Sequence, residues 1–365
     1  MNYFSFFIVM LYIVLLLILI RNDSINKTLL FFFSASLLLI LFMFKSYDYG
    51  DDFKNYHLWL IRINDIILVD TYSDILLKYF FNVTYLLSDS KSLQDEFFFK
   101  FVIYLWFFGV FSIFFIMISN KINSSCLLLF FILLISSRLF HEYSTNTLRS
   151  FSSAIILSSL FISERGYFAK ALCLILAFLV HFKATLLVLS IFIPSIFIAR
   201  KVSPKTILMI LYFLLIYFSL KLFISSNSIL NFEFLREKVF LLGSDYGMKL
   251  HSDKISSDFS LSFSLYLQYT ILIFIPLLIS FKDIKSNDVT LIHASVVSLI
   301  PFSFLFPQVF LLERFGQFGL ILATYLLAVS LKNHTLNLTK TGFLGLLSIF
   351  NVVSLYFLFQ LTDLV

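Results

Sequence analysis

The stretch FFKFVIYLWFFGVFSIFFIMI, residues 98–118, decides the fold class of this chain. It contains one charged residue, Lys100, and a helix needs about 20 consecutive apolar residues to cross a bilayer core of roughly 30 Å. Similar runs recur along the 365 residues, of which 60% are hydrophobic and 13% charged. Soluble domains carry about 25% charged residues. The composition therefore excludes a soluble enzyme, a disordered chain and a disulfide-stapled secreted domain.

The sequence predicts an all-α polytopic membrane protein, because a helix satisfies its backbone hydrogen bonds within the bilayer. We expect a single transmembrane domain over residues 1–365, with about twelve spans and with the bilayer as a partner. The predicted spans are 2–20, 28–44, 98–118, 122–136, 150–162, 168–181, 184–199, 206–224, 261–280, 289–306, 316–331 and 341–359. Fifty phenylalanines are expected mainly to face lipid.

The stretch 168–199 allows two interpretations. As one straight helix it would be about 48 Å long. His181 and Lys183 would then lie at its middle, where ionisable groups are costly in a bilayer. We therefore predict two short helices with a turn at residues 181–183.

Loop charge gives the orientation. The segments that follow odd-numbered spans hold 12 basic and 4 acidic residues, against 15 basic and 17 acidic residues elsewhere. The positive-inside rule places the first set in the cytoplasm and both termini outside. The loops 45–97 and 225–260 then lie on the outer face as candidate substrate-binding elements. Within the first loop, the semi-apolar residues 73–87 predict a re-entrant or interfacial helix.

Several polar and charged candidates lie at the predicted outer face, between the fourth and fifth spans. Arg138, His141 and Glu142 are followed by Arg149, which opens a helix rich in serine and alanine. A guanidinium binds two phosphate oxygens at once, so arginines at this depth suit a lipid diphosphate. Snorkelling to the headgroup layer is the alternative for Arg138. The small residues that follow Arg149 favour close helix packing.

A candidate base and further ligands come from other segments. His181, followed by Lys183, ends the sixth span and can act as a general base near neutral pH. A buried, hydrogen-bonded structural histidine is the alternative. Asp51 and Asp52 could bind a metal, act as a base or stay solvated. Arg314 precedes the eleventh span and is either an anion ligand or an interfacial cation.

These segments resemble a known family. YGDDFKNYHLWL, residues 49–60, resembles the "D, three residues, Y" pattern of the bacterial O-antigen and exopolysaccharide polymerases of the Wzy and EpsG type. Residues 146–192 resemble that family's arginine-led small-residue helix, basic turn and histidine-ended helix. Residues 313–328 resemble its C-terminal helix start. Two departures are the Ser73-Asp74 pair, where the family often has an acidic-proline element, and Val180 in place of an aromatic residue.

The resemblance implies a GT-C-like architecture and a glycosyltransferase of the bacterial cytoplasmic membrane. The enzyme would polymerise undecaprenyl-diphosphate-linked oligosaccharides on the outer face, with no metal, cofactor or nucleic acid and with a chain-length co-polymerase as a partner. His181 would be the base, with Asp51 or Asp52 as the alternative. The remaining roles follow the resemblance: diphosphate binding by Arg149, Arg314 and Arg138; sugar stacking by Tyr56 and Trp59; further substrate contacts by His141, Glu142 and Lys183.

Three other functions remain open at this stage. A polyprenyl-phosphate-sugar-dependent membrane glycosyltransferase would use an acidic pair such as Asp51-Asp52, although such enzymes often carry a soluble outer domain. An O-antigen ligase would share the outer arginines and histidine. A lipid-linked oligosaccharide flippase should line a path through the bilayer with charges, and the predicted spans hold few charges at their centres.

Overall fold

The computed structural model describes residues 26–44, 51–63, 74–120, 122–135, 140, 143–145, 147–199 and 313–333. All regular secondary structure in these ranges is helical. The described helices are α1 Lys27–Phe44, α2 Asp51–Ile61, α3 Ile75–Leu87, α4 Ser90–Gln94, α5 Glu96–Ile118, α6 Ser124–Ile135, α7 Leu148–Ile162, α8 Tyr167–Ala199 and α9 Glu313–Asn333.

The predicted spans that fall in the described ranges are confirmed as helices, with ends shifted by up to three residues. Two segments, Glu96–Ile118 and Tyr167–Leu186, are long and apolar enough to cross a membrane by length and composition. These helices support a membrane protein. The predicted spans 2–20, 206–224, 261–280, 289–306 and 341–359, and the loop 225–260, lie outside the described residues.

The predicted interruption at His181 is confirmed. Residue 181 has extended backbone angles (φ −160°, ψ 95°) inside α8. Thr185 Oγ1 lies 2.9 Å from the carbonyl oxygen of Ala177. Eight residues of straight helix advance about 12 Å, so this contact requires a sharp bend. A hydroxyl from beyond the bend thus contacts a backbone carbonyl of the first half of α8.

The loop 45–97 contains more structure than the sequence predicted. The helix expected at 73–87 is α3, but α2 and α4 were not predicted. One signal for α2 was present, because Phe53, Tyr56 and Leu60 share one helical face and all three are buried. The low overall hydropathy of DDFKNYHLWLI concealed it.

The expectation that phenylalanine mainly faces lipid is wrong for much of the described core. Phe107, Phe140 and Phe151 pack against one another, with ring centroids 5.6–6.2 Å apart. Phe114 stacks on Phe130 at 5.2 Å between α5 and α6. These rings are buried, because large and rigid side chains fill the space between helices with many dispersion contacts.

Helix α7 packs against α5, α8 and α9. Polar contacts are grouped at each of its two ends. Beyond its C-terminal end, Arg165 Nη2 donates to the carbonyl oxygen of Ile116 at 3.0 Å, and Lys27 Nζ donates to that of Ser119. Basic side chains stabilise helix C-termini because the last carbonyls lack intrahelical partners. Two segments predicted to share the cytoplasmic face therefore meet at one end of α5, whereas Arg149 begins the opposite end of α7.

Candidate active site

Asp74 lies at the centre of the polar contacts at the N-terminal end of α7. It immediately precedes α3 in a left-handed conformation (φ 64°, ψ 34°), which costs a non-glycine residue on the order of 1–3 kcal/mol. Its side chain forms no capping hydrogen bond with α3 and is only 1% exposed. The backbone is thus held in an unfavourable conformation that directs the carboxylate away from its own helix.

The Asp74 carboxylate joins two residues that the sequence singled out. Oδ2 accepts a hydrogen bond from Arg149 Nη1 at the start of α7. Oδ1 accepts one from His181 Nδ1 at 2.6 Å, at the bend of α8. The structure therefore brings the predicted diphosphate ligand and the predicted base to one carboxylate.

Arg149 is held on its other sides by α2. Its Nε donates to Tyr56 Oη at 3.2 Å, and its guanidinium carbon lies 4.8 Å from the centre of the Trp59 ring. Tyr56 is buried and Trp59 is half-buried. Both predicted sugar-stacking residues thus hold Arg149, and sugar stacking on them stays a prediction.

The guanidinium keeps capacity for a ligand. Its bonds to Tyr56 and Asp74 use two of the five N–H groups of an arginine, and the other three have no partner in the described ranges. The Arg149 side chain is 24% exposed, whereas that of Asp74 is buried. The aromatic and acidic contacts therefore fix its orientation while one edge stays available to an anion.

The charges of the site keep Asp74 ionised. The carboxylate accepts hydrogen bonds from His181 and from the permanently cationic Arg149, and both contacts favour its charged form. Arginine stays protonated throughout the accessible pH range. A permanent ion pair thus lies directly beside the imidazole.

Hydroxyl groups tie the bend of α8 to α7. Thr185 Oγ1 lies 2.9 Å from the His181 carbonyl oxygen and 2.7 Å from Ser153 Oγ. Ser153 is one helical turn along α7 from Arg149. The serine-rich face predicted for close packing therefore also sets the relative position of the guanidinium and the imidazole. Thr185 and Ser153 gave no sequence signal beyond that small-residue pattern.

Comparisons with protein-family models, with curated proteins and with solved structures found no match to this chain. The chemistry of the site is therefore argued from its geometry. A buried Asp–His pair suits proton transfer, and an oriented arginine suits anion stabilisation. In the described ranges, no three His, Cys, Asp or Glu residues are grouped as metal ligands would be.

The other predicted site residues are less closely defined. Lys183 lies just beyond the bend and is exposed. Asp51 and Asp52 begin α2, and Arg314 lies in the first turn of α9, although their side chains are outside the description. Arg138, His141 and Glu142 lie outside the described residues.

Asp74 was missed as a site residue. A carboxylate directly before an apolar helical run is a helix N-cap signal, which would have marked the position but not the role. The loop 45–97 holds further aspartates, such as Asp65 and Asp70, and their spacing gives no reason to choose among them.

His57 has a structural role beside the site, and we expect it to make stability pH-dependent. Its Nε2 lies 2.8 Å from the Leu93 carbonyl oxygen, and its ring stacks on Phe99. Burial lowers the pKa of His57 below its ordinary value. The folded protein therefore binds this proton less readily than the unfolded chain does, so stability should fall as pH drops below about 6.5.

The measurement is the thermal midpoint of the purified protein between pH 5 and pH 8. Glutamine keeps a hydrogen-bond donor but cannot titrate. His57→Gln should therefore reduce the fall of the thermal midpoint at acid pH. His334→Gln, outside the described residues, is the matched histidine control. An unchanged slope in His57→Gln would contradict this role for His57.

Proposed function

We propose that this protein polymerises undecaprenyl-diphosphate-linked oligosaccharide repeat units on the outer face of a bacterial cytoplasmic membrane. The observation that supports this most strongly is the meeting of Arg149 and His181 at Asp74. The two residues belong to the segment 146–192, which carries the resemblance to Wzy- and EpsG-type polymerases. They are the diphosphate ligand and the base that this resemblance implies.

The reaction uses the two groups on opposite sides of the anomeric carbon. A hydroxyl of the acceptor sugar attacks that carbon and forms the new glycosidic bond. The bond to the diphosphate oxygen breaks, and its electron pair leaves with the lipid diphosphate. Arg149 stabilises the charge that builds on this leaving group, and His181 accepts the hydroxyl proton. A contact that strengthens as this charge develops stabilises the transition state more than the bound substrate, and it therefore raises the turnover rate.

Twelve spans, a GT-C-like arrangement and outward-facing termini are part of the same proposal. Lys27 and Arg165 share one end of the helices, and Arg149 and His181 share the other. This grouping agrees with the loop charges, which assign the first pair to the cytoplasm. Lipid-linked repeat units in the outer leaflet would then approach Arg149 and His181 from the same side of the membrane.

A strain lacking the gene tests the function. Surface glycan separated on a gel should lose its ladder and show a rough-type core that carries one repeat unit, and wild-type protein should restore the ladder. His181→Gln, expressed to wild-type level, should not restore it. His334→Gln serves as the control substitution and should restore the full ladder.

Other results would favour the alternatives. A complete ladder in which every band is slightly lighter would indicate a transferase of single sugars, and the chemistry would move to Asp51 and Asp52. A lipid A core with no repeat unit at all would indicate a ligase or a flippase. Either pattern would contradict the polymerase function.

A further inference from the structure

We propose that Asp74 is a positioning residue for the transfer reaction, which holds the His181 imidazole in the tautomer protonated on Nδ1 so that Nε2 accepts the proton of the attacking hydroxyl. This role rests on the function proposed above and adds a residue that neither the motifs nor the resemblance assigned. It also gives a reason for the left-handed backbone of Asp74.

The direction of the hydrogen bond follows from the charges. Arg149 is permanently cationic and contacts Oδ2, so the carboxylate is ionised and can only accept. Nδ1 of His181, 2.6 Å from Oδ1, must then carry the proton. In a neutral imidazole the lone pair is therefore on Nε2. Arg149 thus sets the histidine tautomer through the shared aspartate.

The same contact supports the reaction step. When Nε2 takes the hydroxyl proton, His181 becomes a cation whose Nδ1–H still donates to Asp74. Attraction between these charges is stronger in a buried site than in water, and both side chains are almost fully buried. The proton acceptor is thereby stabilised while the diphosphate leaves with its electron pair.

Other charged groups surround the pair. Arg149 from α7 donates a hydrogen bond to Asp74. It also donates one to Tyr56 from α2. Lys78 lies one turn along α3, and Lys183 follows His181 on α8. Asp74→Asn therefore removes the one anion that these contacts show touching both Arg149 and His181.

Asp74 also links α3 to α7 and α8 through its hydrogen bonds. The test therefore needs a measurement that would not change if Asp74 had only this structural role. We would label histidine with ¹⁵N in protein reconstituted in lipid nanodiscs and assign His181 with His181→Gln. The ¹⁵N shifts distinguish a protonated ring nitrogen from an unprotonated one. Wild-type protein should show Nδ1–H, and Asp74→Asn should show a shift of population toward Nε2–H.

Rates give the second measurement, with lipid-linked repeat units extracted from the deletion strain as substrate. Asp74→Asn should lower kcat by about 10²–10⁴-fold, in the range found when the orienting carboxylate of a histidine base is removed, with a smaller change in KM from the loss of its contact with Arg149. Asp74→Glu should recover part of the rate, and Asp89→Asn, an exposed cap of α4, should match wild type.

The outcomes separate the two proposals. An active wild type whose Asp74→Asn variant keeps both tautomer and rate would contradict the role of Asp74 alone. A wild type with the Nδ1–H tautomer that forms no polymer would contradict the function alone. Nε2–H in wild-type protein would overturn the assignment without any variant, even where Asp74→Asn fails to fold.

Discussion

Replacement of Arg149 by lysine should abolish long polymer while the protein remains folded. Lysine keeps the positive charge but lacks the planar fork, which holds Tyr56, Asp74 and Trp59 on three sides while N–H groups remain for a ligand. We expect at least a 10²-fold loss of kcat, because one oriented donor to a developing oxyanion contributes about that much. The measurement is single-turnover transfer in nanodiscs.

Arg62→Lys is the matched control. Arg62 is exposed just after α2, in the loop 45–97, and should tolerate lysine without loss of rate. Equal rates for Arg149→Lys and wild type would show that charge alone suffices at residue 149, which would contradict its role as an oriented ligand of the diphosphate.

Removal of Arg149 without its partner should destabilise the protein more than removal of the whole ion pair. Arg149→Met leaves the carboxylate of Asp74 buried beside His181 alone. Breaking a buried pair from one side costs about 3–5 kcal/mol, whereas replacement of both charges is often close to neutral. Arg149→Met/Asp74→Asn should therefore unfold at a higher temperature than Arg149→Met, with thermal loss of the monodisperse chromatographic peak as the measurement.

A cycle of single and double variants separates coupling from general damage. Residues in contact show coupling energies of about 0.5–3 kcal/mol, whereas distant pairs add. Arg149→Met combined with Asp89→Asn supplies the distant pair. If the losses of stability in Arg149→Met and Asp74→Asn simply add in the double variant, the ion pair contributes no coupling energy to stability.

The longer helices in the described part of the chain could be predicted, because spans of apolar residues give a strong signal without tertiary information. The break at His181 was also predictable, from the cost of ionisable groups within a long helix. Helix α2 was missed because its stabilisation comes from buried contacts of Phe53 and Tyr56 rather than from hydropathy. Amphipathic helices next to a bilayer resemble loops in composition.

The sequence identified two of the residues that meet at Asp74, but not the geometry in which they meet. Arg149 and His181 were identified from residue type and helix position. Asp74 lies 75 residues from one and 107 from the other, and a single sequence contains nothing that pairs residues at such distances. The left-handed backbone that directs its carboxylate is equally invisible, because aspartate adopts many conformations. The partners of Tyr56 and Trp59 were missed for the same reason.

Helix lengths also indicate how deep the site lies. Arg149 and His181 each stand about 20 Å from the end of the bundle that carries Arg165, because about 14 helical residues separate them from that end. If that end lies at one boundary of a 30 Å hydrocarbon layer, both residues are submerged by about 10 Å beneath the opposite boundary. A lipid-linked sugar would then have to descend below the headgroups to react, and would enter sideways from the leaflet rather than from the water above.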